Sequence, residues 1–268
     1  VGNAMDYGFK KNIEKKVIDP LYGSNIDDLI EFNPQFCFIC VPTPMKKNGD
    51  QDSKIIKKVV EESKEKLPNS ILIIKSTVLP DVLIELQQMD NNLVYNPEFL
   101  REKHAKEDFI NSPMIILGGN SLELKKVKKL YENCSSCVEK KFIFCDLLTA
   151  SLIKYTINSF LATKVAFFNE IFELYEKLDV NDDWSKIVDA ISLDKRIGSS
   201  HMQVPGHDGR RGFGGACFPK DIAAFYTYSS KMKAKLKIAK EAISSNNKIR
   251  KNYKDLNKRE KDQNIIFE

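Results

Sequence analysis

Short apolar runs alternate with amphipathic helical patterns through the first half of the chain, and this alternation constrains the fold most. Residues 71–77 have the sequence ILIIKST, which is apolar on both faces of a strand until its end. Such a strand is covered on both faces, as is typical of a parallel sheet. Residues 53–67 carry apolar side chains at helical spacing, with Ser53 as the expected N-cap. The pattern predicts a doubly wound α/β domain.

The remaining elements follow from the same two patterns, short apolar runs for strands and apolar residues at helical spacing for helices. Further strands are predicted at 15–20, 36–42, 92–99, 113–119 and 140–146. Further helices are predicted at 81–88, 121–134, 149–178, 183–192, 219–232 and 236–251. The predicted helix 149–178 contains neither Gly nor Pro and is apolar on more than one side, which indicates burial in a core or against a partner subunit. We therefore expect a Rossmann-like domain over residues 1–147 and an all-helical domain over residues 148–268.

Composition excludes several classes of protein. The chain is 42% hydrophobic and 29% charged, which is ordinary for a soluble globular protein. No apolar run reaches membrane-spanning length and no signal peptide is recognised, so we expect no membrane partner and a cytoplasmic location. Residues 248–263 are rich in Lys and Arg, and we interpret them as a solvated helix face or a frayed end, not as a nucleic-acid arm.

Two of the cysteine pairs have C-x-x-C spacing, in the segments CFIC (37–40) and CSSC (134–137). In a strand, the two thiols of CFIC point to opposite faces. Zinc or a disulfide is an alternative for each pair, but reduced cysteines in a cytosolic protein are the favoured interpretation. We predict no metal site.

The segment RGFGGACFPKD (211–221) concentrates the chemistry of the chain. Its glycines allow close approach of a ligand to the backbone, and Pro219 suits a first helical turn. Cys217 is then at a helix N-terminus, where the dipole and Lys220 favour a thiolate, and Asp221 is near enough to handle protons. The alternative is a small apolar filler in a glycine turn.

Polar residues on the predicted long helix and at the sheet edge form two further groups. Lys154 and Asn158 share a helix face. One interpretation is a pair of hydrogen-bond donors for an oxyanion. The alternative is a lysine that extends to the surface beside a hydrogen-bonded core asparagine. Glu98, in NPEFLRE (96–102), follows a strand and is a candidate general base; the alternative is a cluster of acids that opens a helix. Thr43 and Thr77 end two other strands at the same edge.

Together, NPEFLRE, SLIKYTINSFLATKVAFFNEI and RIG…GFGGACFPKD closely resemble the UDP-glucose/GDP-mannose dehydrogenase family, with CVPTP and KSTV in the expected order. The resemblance extends from Val1 to about Phe225. It implies NAD as cofactor and a four-electron oxidation of a nucleotide-sugar C6 alcohol to a carboxylate, with UDP-glucose as first substrate. GDP-mannose, a UDP-N-acetylhexosamine or a non-catalytic remnant are the alternatives.

The resemblance also implies roles for individual residues. The implied catalytic residues are Cys217 as nucleophile, Lys154 and Asn158 at the oxyanion, Glu98 as base, and Asp221 with Thr77 at the water. The implied cofactor contacts are Gly2, Asp19, Val41, Thr43, Thr77, Glu102 and Lys220. The implied substrate contacts are Glu98, Phe99, Leu100, Arg101, Lys154, Asn158, Arg196, Phe213, Gly214 and Gly215. The implied assembly is a homodimer through the helix 149–178, with Arg196 reaching across the subunit interface.

Five differences from the family pattern accompany the resemblance. Relative to the family, the first strand with its early glycines and the third domain are missing, so the resemblance is to a short form; a fragment, a truncated gene and a minimal version are the alternatives. The segment 20–34 is shorter than usual and Ser151 replaces an acid. The loop 199–211 is longer than is typical.

Overall fold

The structure is a computed structural model, and it describes residues 1–139, 141–253 and 255–268. These residues divide into two compact units. The first unit joins Val1–Thr43 to Asp52–Lys154, and the second joins Pro44–Gln51 to Tyr155–Glu268. The boundary predicted after residue 147 stays a prediction.

Strands and helices alternate along the first unit. The strands are β1 Phe36–Ile39, β2 Ile71–Ile74, β3 Val94–Tyr95, β4 Ile115–Gly118 and β5 Phe142–Cys145. The helices are α1 Gly2–Gly8, α2 Lys54–Lys66, α3 Pro80–Met89, α4 Ala105–Ile110 and α5 Ser121–Cys134. The strands form one sheet in the order β1-β2-β3-β4-β5. The predicted α/β architecture is therefore confirmed; Lys140, the first residue of one predicted strand, lies outside the described residues.

The apolar runs form the centre of this sheet. Every residue of β2 and of β4 is buried. Each large aliphatic side chain moved fully out of water contributes about 1.5–3 kcal/mol, so the two strands anchor the unit. Phe9, Phe109 and Tyr131 pack with them in one cluster. The strand ends are thereby held in fixed positions at the edge where functional residues were predicted.

One strand pair departs from the parallel prediction. β1, β2 and β3 pair in parallel, and so do β4 and β5, but Tyr95 of β3 pairs antiparallel with Gly118 of β4. The connection from β3 to β4 contains only a 3₁₀ turn and the six-residue helix α4. This connection does not carry the chain back to the start of β3, so β4 runs in the opposite direction.

The predicted strand at 15–20 is wrong. Within the described chain, no strand pairs with these residues, and a strand needs a neighbour to complete its hydrogen-bond ladder. Asp19 instead accepts a hydrogen bond from the Leu21 backbone N–H at 3.0 Å and caps a short 3₁₀ turn at Pro20–Tyr22. Asp19 thus acts as a turn residue here.

The second unit is helical. Its helices are α6 Leu147–Tyr175, which begins in the first unit, α7 Trp184–Ser192, α8 Phe218–Lys231, α9 Lys237–Arg250 and α10 Lys258–Asp262. The long helix predicted at 149–178 is confirmed. Alanines from α6 and α9 pack around Phe213 and Ile222. Because alanine is small, the helices approach the glycine-rich segment closely.

The interpretation of residues 248–263 as a solvated or frayed tail is wrong for two of them. Arg250, at the end of α9, is 2% exposed, and Glu260, in α10, is fully buried. Buried charges persist only when paired or hydrogen-bonded, and both residues have such partners, described below. Lys254 lies outside the described residues.

Candidate active site

The carboxyl ends of β1 and β2 are joined by two side-chain hydrogen bonds. The Thr43 hydroxyl donates to the Thr77 carbonyl at 2.9 Å, and the Ser76 hydroxyl donates to the Val41 carbonyl at 2.6 Å. Both threonines are buried. Three residues predicted as cofactor contacts, Val41, Thr43 and Thr77, are thus brought together at one edge of the sheet.

Glu98 and Lys154 meet at the same edge. The Lys154 ammonium donates to the Glu98 backbone carbonyl and lies 3.8 Å from the Glu98 carboxylate. It also lies 4.9 Å from the centre of the Phe99 ring, a cation–π distance. The other carboxylate oxygen of Glu98 accepts the Leu100 backbone N–H at 2.6 Å. The structure therefore gathers Lys154, the Glu98 carboxylate and the two residues after Glu98, all of which the resemblance implies as substrate contacts.

A second buried lysine, Lys75, lies at the end of β2 and was not singled out from the sequence. Its ammonium donates to Asn96 Oδ1 at 3.0 Å, and the Tyr131 hydroxyl donates to the same oxygen at 2.6 Å. Asn96 in turn donates to the Ile116 carbonyl at 2.7 Å. Lys75, Asn96 and Glu98 line one small cavity. The available signal was a lysine placed directly after four buried strand residues.

Burial governs the charge of Lys75. Desolvation lowers the pKa of Lys75 to about 8, opposed by Cys40 and Glu98 and assisted by Lys154. The neighbouring thiols respond in the opposite direction: burial raises the pKa of Cys37 and of Cys40 to about 11. The CFIC thiols are therefore protonated at neutral pH.

Cys217 is the N-cap residue of α8 and is exposed. Gly212 and Gly215 before it have φ of +74° and +79°, values that glycine adopts without strain. Pro219 lies in the first turn of α8, and the Asp221 N–H donates to the Cys217 carbonyl at 2.9 Å. The predicted position of the sulfur, at the start of a helix behind a glycine turn, is confirmed.

Three predicted residues converge one turn into α8. Asp221, 1% exposed, accepts the Lys220 ammonium at 2.5 Å and the Asn158 side-chain amide at 2.7 Å. Lys220 and Asn158 are also buried. The Asp221 carboxylate is therefore held in place by two donors, an ammonium and a side-chain amide.

The two predicted arginines are engaged elsewhere in this structure. Arg101 forms a bidentate pair with Asp108, through contacts of 3.1 and 2.7 Å. Arg196 pairs with Asp194 at 2.6 Å, and its hydrogen bonds lower the pKa of Asp194. Both arginine side chains are largely exposed, so a ligand can compete for them.

Gly2 and Glu102 are exposed, at the start of α1 and of a 3₁₀ turn at Glu102–His104. A Cβ added at Gly2 would have Cys40 Cβ as its nearest neighbour, at 3.9 Å. A Cβ at Gly8 would overlap the Phe109 ring at 1.9 Å. Packing therefore requires glycine at position 8, which the sequence did not reveal, but not at position 2.

The cysteines form no disulfide, and the described residues contain no cluster of three or more His, Cys, Asp or Glu side chains suited to a metal ion. Among the helices of the described chain, none combines the length and the apolar character that crossing a membrane requires.

Two domain families match the chain. Residues 14–135 match the NAD binding domain of the UDP-glucose/GDP-mannose dehydrogenase family, and residues 148–248 match the central domain of the same family. The chain is 38% identical to UDP-glucose 6-dehydrogenase of Rickettsia felis over 234 residues, which cover 83% of this chain and 50% of that protein. It is 37% identical to UDP-glucose 6-dehydrogenase of Rickettsia conorii over 260 residues, 94% of this chain and 57% of that protein.

A solved UDP-glucose dehydrogenase from Pyrobaculum islandicum has a similar structure, with a TM-score of 0.71 and 28% identity, covering 83% of this chain and 52% of that one. The chain thus spans about half the length of the curated relatives it matches.

Proposed function

The chain belongs to the UDP-glucose/GDP-mannose dehydrogenase family, and we propose that it takes part in the NAD-dependent oxidation of a nucleotide sugar to its uronate, with UDP-glucose as substrate. The observation that carries the proposal is the exposed thiol of Cys217 at the start of α8, inside the segment that matches the central domain. A structural cysteine needs neither exposure nor a glycine turn before it.

The chemistry of the residues that we assign to the cofactor fits a dinucleotide. Glycine at position 2 is not required by packing, which supports a role in close approach of a ligand. Glu102, and Asp19 in addition to capping the turn at Pro20–Tyr22, offer carboxylates to ribose hydroxyls, while Val41, Thr43, Thr77 and Lys220 are the further contacts that we assign. When bound, NAD⁺ would supply the hydride acceptor, one molecule for each of the two hydrides that leave the sugar C6 atom.

The chain's own residues account for the remaining chemistry. Cys217 attacks the C6 aldehyde and holds it as a thiohemiacetal, and loss of the second hydride from C6 would leave a thioester. Lys154 and Asn158 donate hydrogen bonds to the developing oxyanion. Glu98 takes a proton from the water that hydrolyses the thioester, and Asp221 with Thr77 orients that water. Hydrolysis releases the carboxylate and the free thiol.

We assign substrate contacts to Phe99, Leu100, Arg101, Phe213, Gly214 and Gly215 and, from a second copy of the chain, to Arg196. The observed ion pairs of both arginines then have to exchange for the substrate. The uncrosslinked cysteines support a reducing cytoplasmic location.

The test is NADH formation from UDP-glucose by the protein and by Cys217→Ser, with Cys145→Ser as the matched control. We expect Cys217→Ser to lose the complete oxidation by on the order of a thousandfold, and the control to keep it. Normal production of UDP-glucuronate by Cys217→Ser would refute the covalent mechanism. NADH formation only from GDP-mannose or from a UDP-N-acetylhexosamine would reassign the substrate, and none from any sugar would favour a non-catalytic remnant.

We also propose a homodimer through α6. Phe160, Phe167 and Leu174 lie seven residues apart on this helix and are 63%, 54% and 53% exposed, which makes an apolar stripe. Sedimentation velocity on Phe160→Asp tests the proposal, with Leu193→Asp as control because Leu193 is exposed after α7. We expect only Phe160→Asp to shift the protein towards monomer, and equal behaviour of the two variants would contradict the interface.

A further inference from the structure

The backbone of residues 212–215, here called the glycine loop, is held by side chains from three distant helices. The Gly212 N–H donates to Asn169 Oδ1 of α6 at 2.8 Å. The Phe213 N–H donates to Asn246 Oδ1 of α9 at 2.6 Å. The Gly215 N–H donates to Glu260 Oε1 of α10 at 2.9 Å. These donors are therefore occupied by the protein itself and are not available to a phosphate or an oxyanion.

The carbonyl groups of the loop are held in the same way. Asn246 Nδ2 donates to the Phe213 carbonyl at 3.0 Å, so one amide satisfies both backbone groups of Phe213. Arg250 Nη2 donates to the Gly212 carbonyl at 2.7 Å. Asn246 is fully buried and Arg250 nearly so, and buried hydrogen bonds of this kind fix geometry because breaking them leaves unsatisfied groups.

Packing explains the glycines of the loop. A Cβ at Gly214 would lie 2.5 Å from Arg250 Nη1 and 2.7 Å from Glu260 Oε1. A Cβ at Gly212 would lie 2.5 Å from Asn246 Oδ1. The absent side chains make room for the anchoring residues of the protein, whereas the sequence had suggested that they make room for a ligand.

The side chains that hold the loop, Asn169, Asn246, Arg250 and Glu260, are here called the anchors, and the charged ones are balanced in charge. Arg250 Nη1 lies 2.8 Å from Asp208 Oδ2 and 3.9 Å from Glu260 Oε1. Burial acts to raise the pKa of Asp208, but hydrogen bonding to Arg250 lowers it overall. Glu260 also accepts the Asn257 N–H at 2.9 Å through its second oxygen. Both side-chain oxygens of Glu260 are therefore acceptors. A glutamine could accept only one of the two hydrogen bonds, because its amide nitrogen is a donor.

We propose that Glu260, Arg250 and Asn246 are positioning residues for Cys217: they fix the glycine loop and thereby the direction from which the thiol meets the substrate. The contact from Glu260 to Gly215 is placed two residues before Cys217. This inference rests on the proposed function for its catalytic meaning, although the geometry of the loop does not depend on it.

The test compares Glu260→Gln with Glu241→Gln, a matched control on the exposed face of α9. Two assays are run on the folded proteins. The first gives the rate constant for alkylation of Cys217 by iodoacetamide, read by peptide mass spectrometry. The second gives kcat and KM for NADH formation from UDP-glucose. For Glu260→Gln we expect kcat to fall about tenfold to a hundredfold with a smaller change in KM. We also expect an alkylation rate clearly different from that of the control.

A purely structural role predicts another outcome. If Glu260→Gln unfolds at a lower temperature while its Cys217 alkylation rate and kcat equal those of Glu241→Gln, the proposal is overturned. If Glu260→Gln does not fold, Arg250→Lys serves instead, since it keeps the charge and loses the planar fork that reaches the Gly212 carbonyl. Alkylation of Cys217 does not require turnover. A protein that forms no NADH therefore refutes the proposed function, while the alkylation rates still test the positioning role.

Discussion

The sheet edge of the first unit and the glycine loop of the second unit use opposite arrangements. At the sheet edge, backbone carbonyls hold polar side chains: Lys154 donates to the Glu98 carbonyl, and Asn96 donates to that of Ile116. In the glycine loop, side chains such as Asn246 and Glu260 hold the backbone. Substitutions should therefore act through charge at the edge and through shape in the loop.

The largest effect is expected in the loop. Gly214→Ala places a Cβ 2.5 Å from Arg250 Nη1 and should cost about 2–4 kcal/mol of unfolding free energy. Gly206→Ala is the control, because the nearest atom to its added Cβ is Asp208 Oδ1 at 3.4 Å, and it should cost less than about 1 kcal/mol. Urea unfolding measures both. Equal costs would show that shape does not limit the loop.

A smaller, pH-dependent effect is expected at the edge. Burial lowers the pKa of Lys75 from 10.5 to about 8, so between these values the unfolded chain binds more protons than the folded one. The stability that Lys75 contributes therefore rises with pH across this window and is constant below it. Relative to Lys75→Met, the wild-type free energy of unfolding should rise by about 1–3 kcal/mol from pH 8 to pH 10.5. Urea titrations at several pH values measure it, and parallel profiles for the two proteins would contradict a buried, titrating lysine.

The smallest effect is expected at Arg101, whose side chain at the edge is 65% exposed. Removing its exposed ion pair with Asp108 by Arg101→Ala should cost at most about 1 kcal/mol, and less in high salt. Thermal unfolding at low and high salt measures this. A larger cost that does not depend on salt would mean that Arg101 packs into the unit as the anchors of the loop do.

The two regions also differ in how far the sequence reveals them. At the edge, strand ends of a parallel sheet meet by geometry, so Thr43, Thr77 and Glu98 could be grouped from the sequence. The anchors of the loop follow no such rule: Arg250 and Glu260 stand in a basic segment whose composition indicates solvation. Only the packing of α9 and α10 on the loop distinguishes them from their exposed neighbours.

The elements of the fold also differ in how far the sequence predicts them. β2 and α6 were predictable because their apolar patterns are sufficient to identify them. The predicted strand at 15–20 was wrong because a strand also needs a paired neighbour. The direction of β4 was not predictable because it depends on the short connection from β3, which does not return the chain to the start of β3. Lys75 was overlooked because its buried partner Asn96, which also accepts the Tyr131 hydroxyl, comes from another element.

Trp184 is the only tryptophan of the chain, and it packs edge-on against Phe172 in a buried cluster of the second unit. Its fluorescence emission therefore reports the opening of that cluster alone, and the first unit contributes no indole signal. Comparing the emission transition with the loss of far-ultraviolet circular dichroism reveals whether the two units melt together or in sequence.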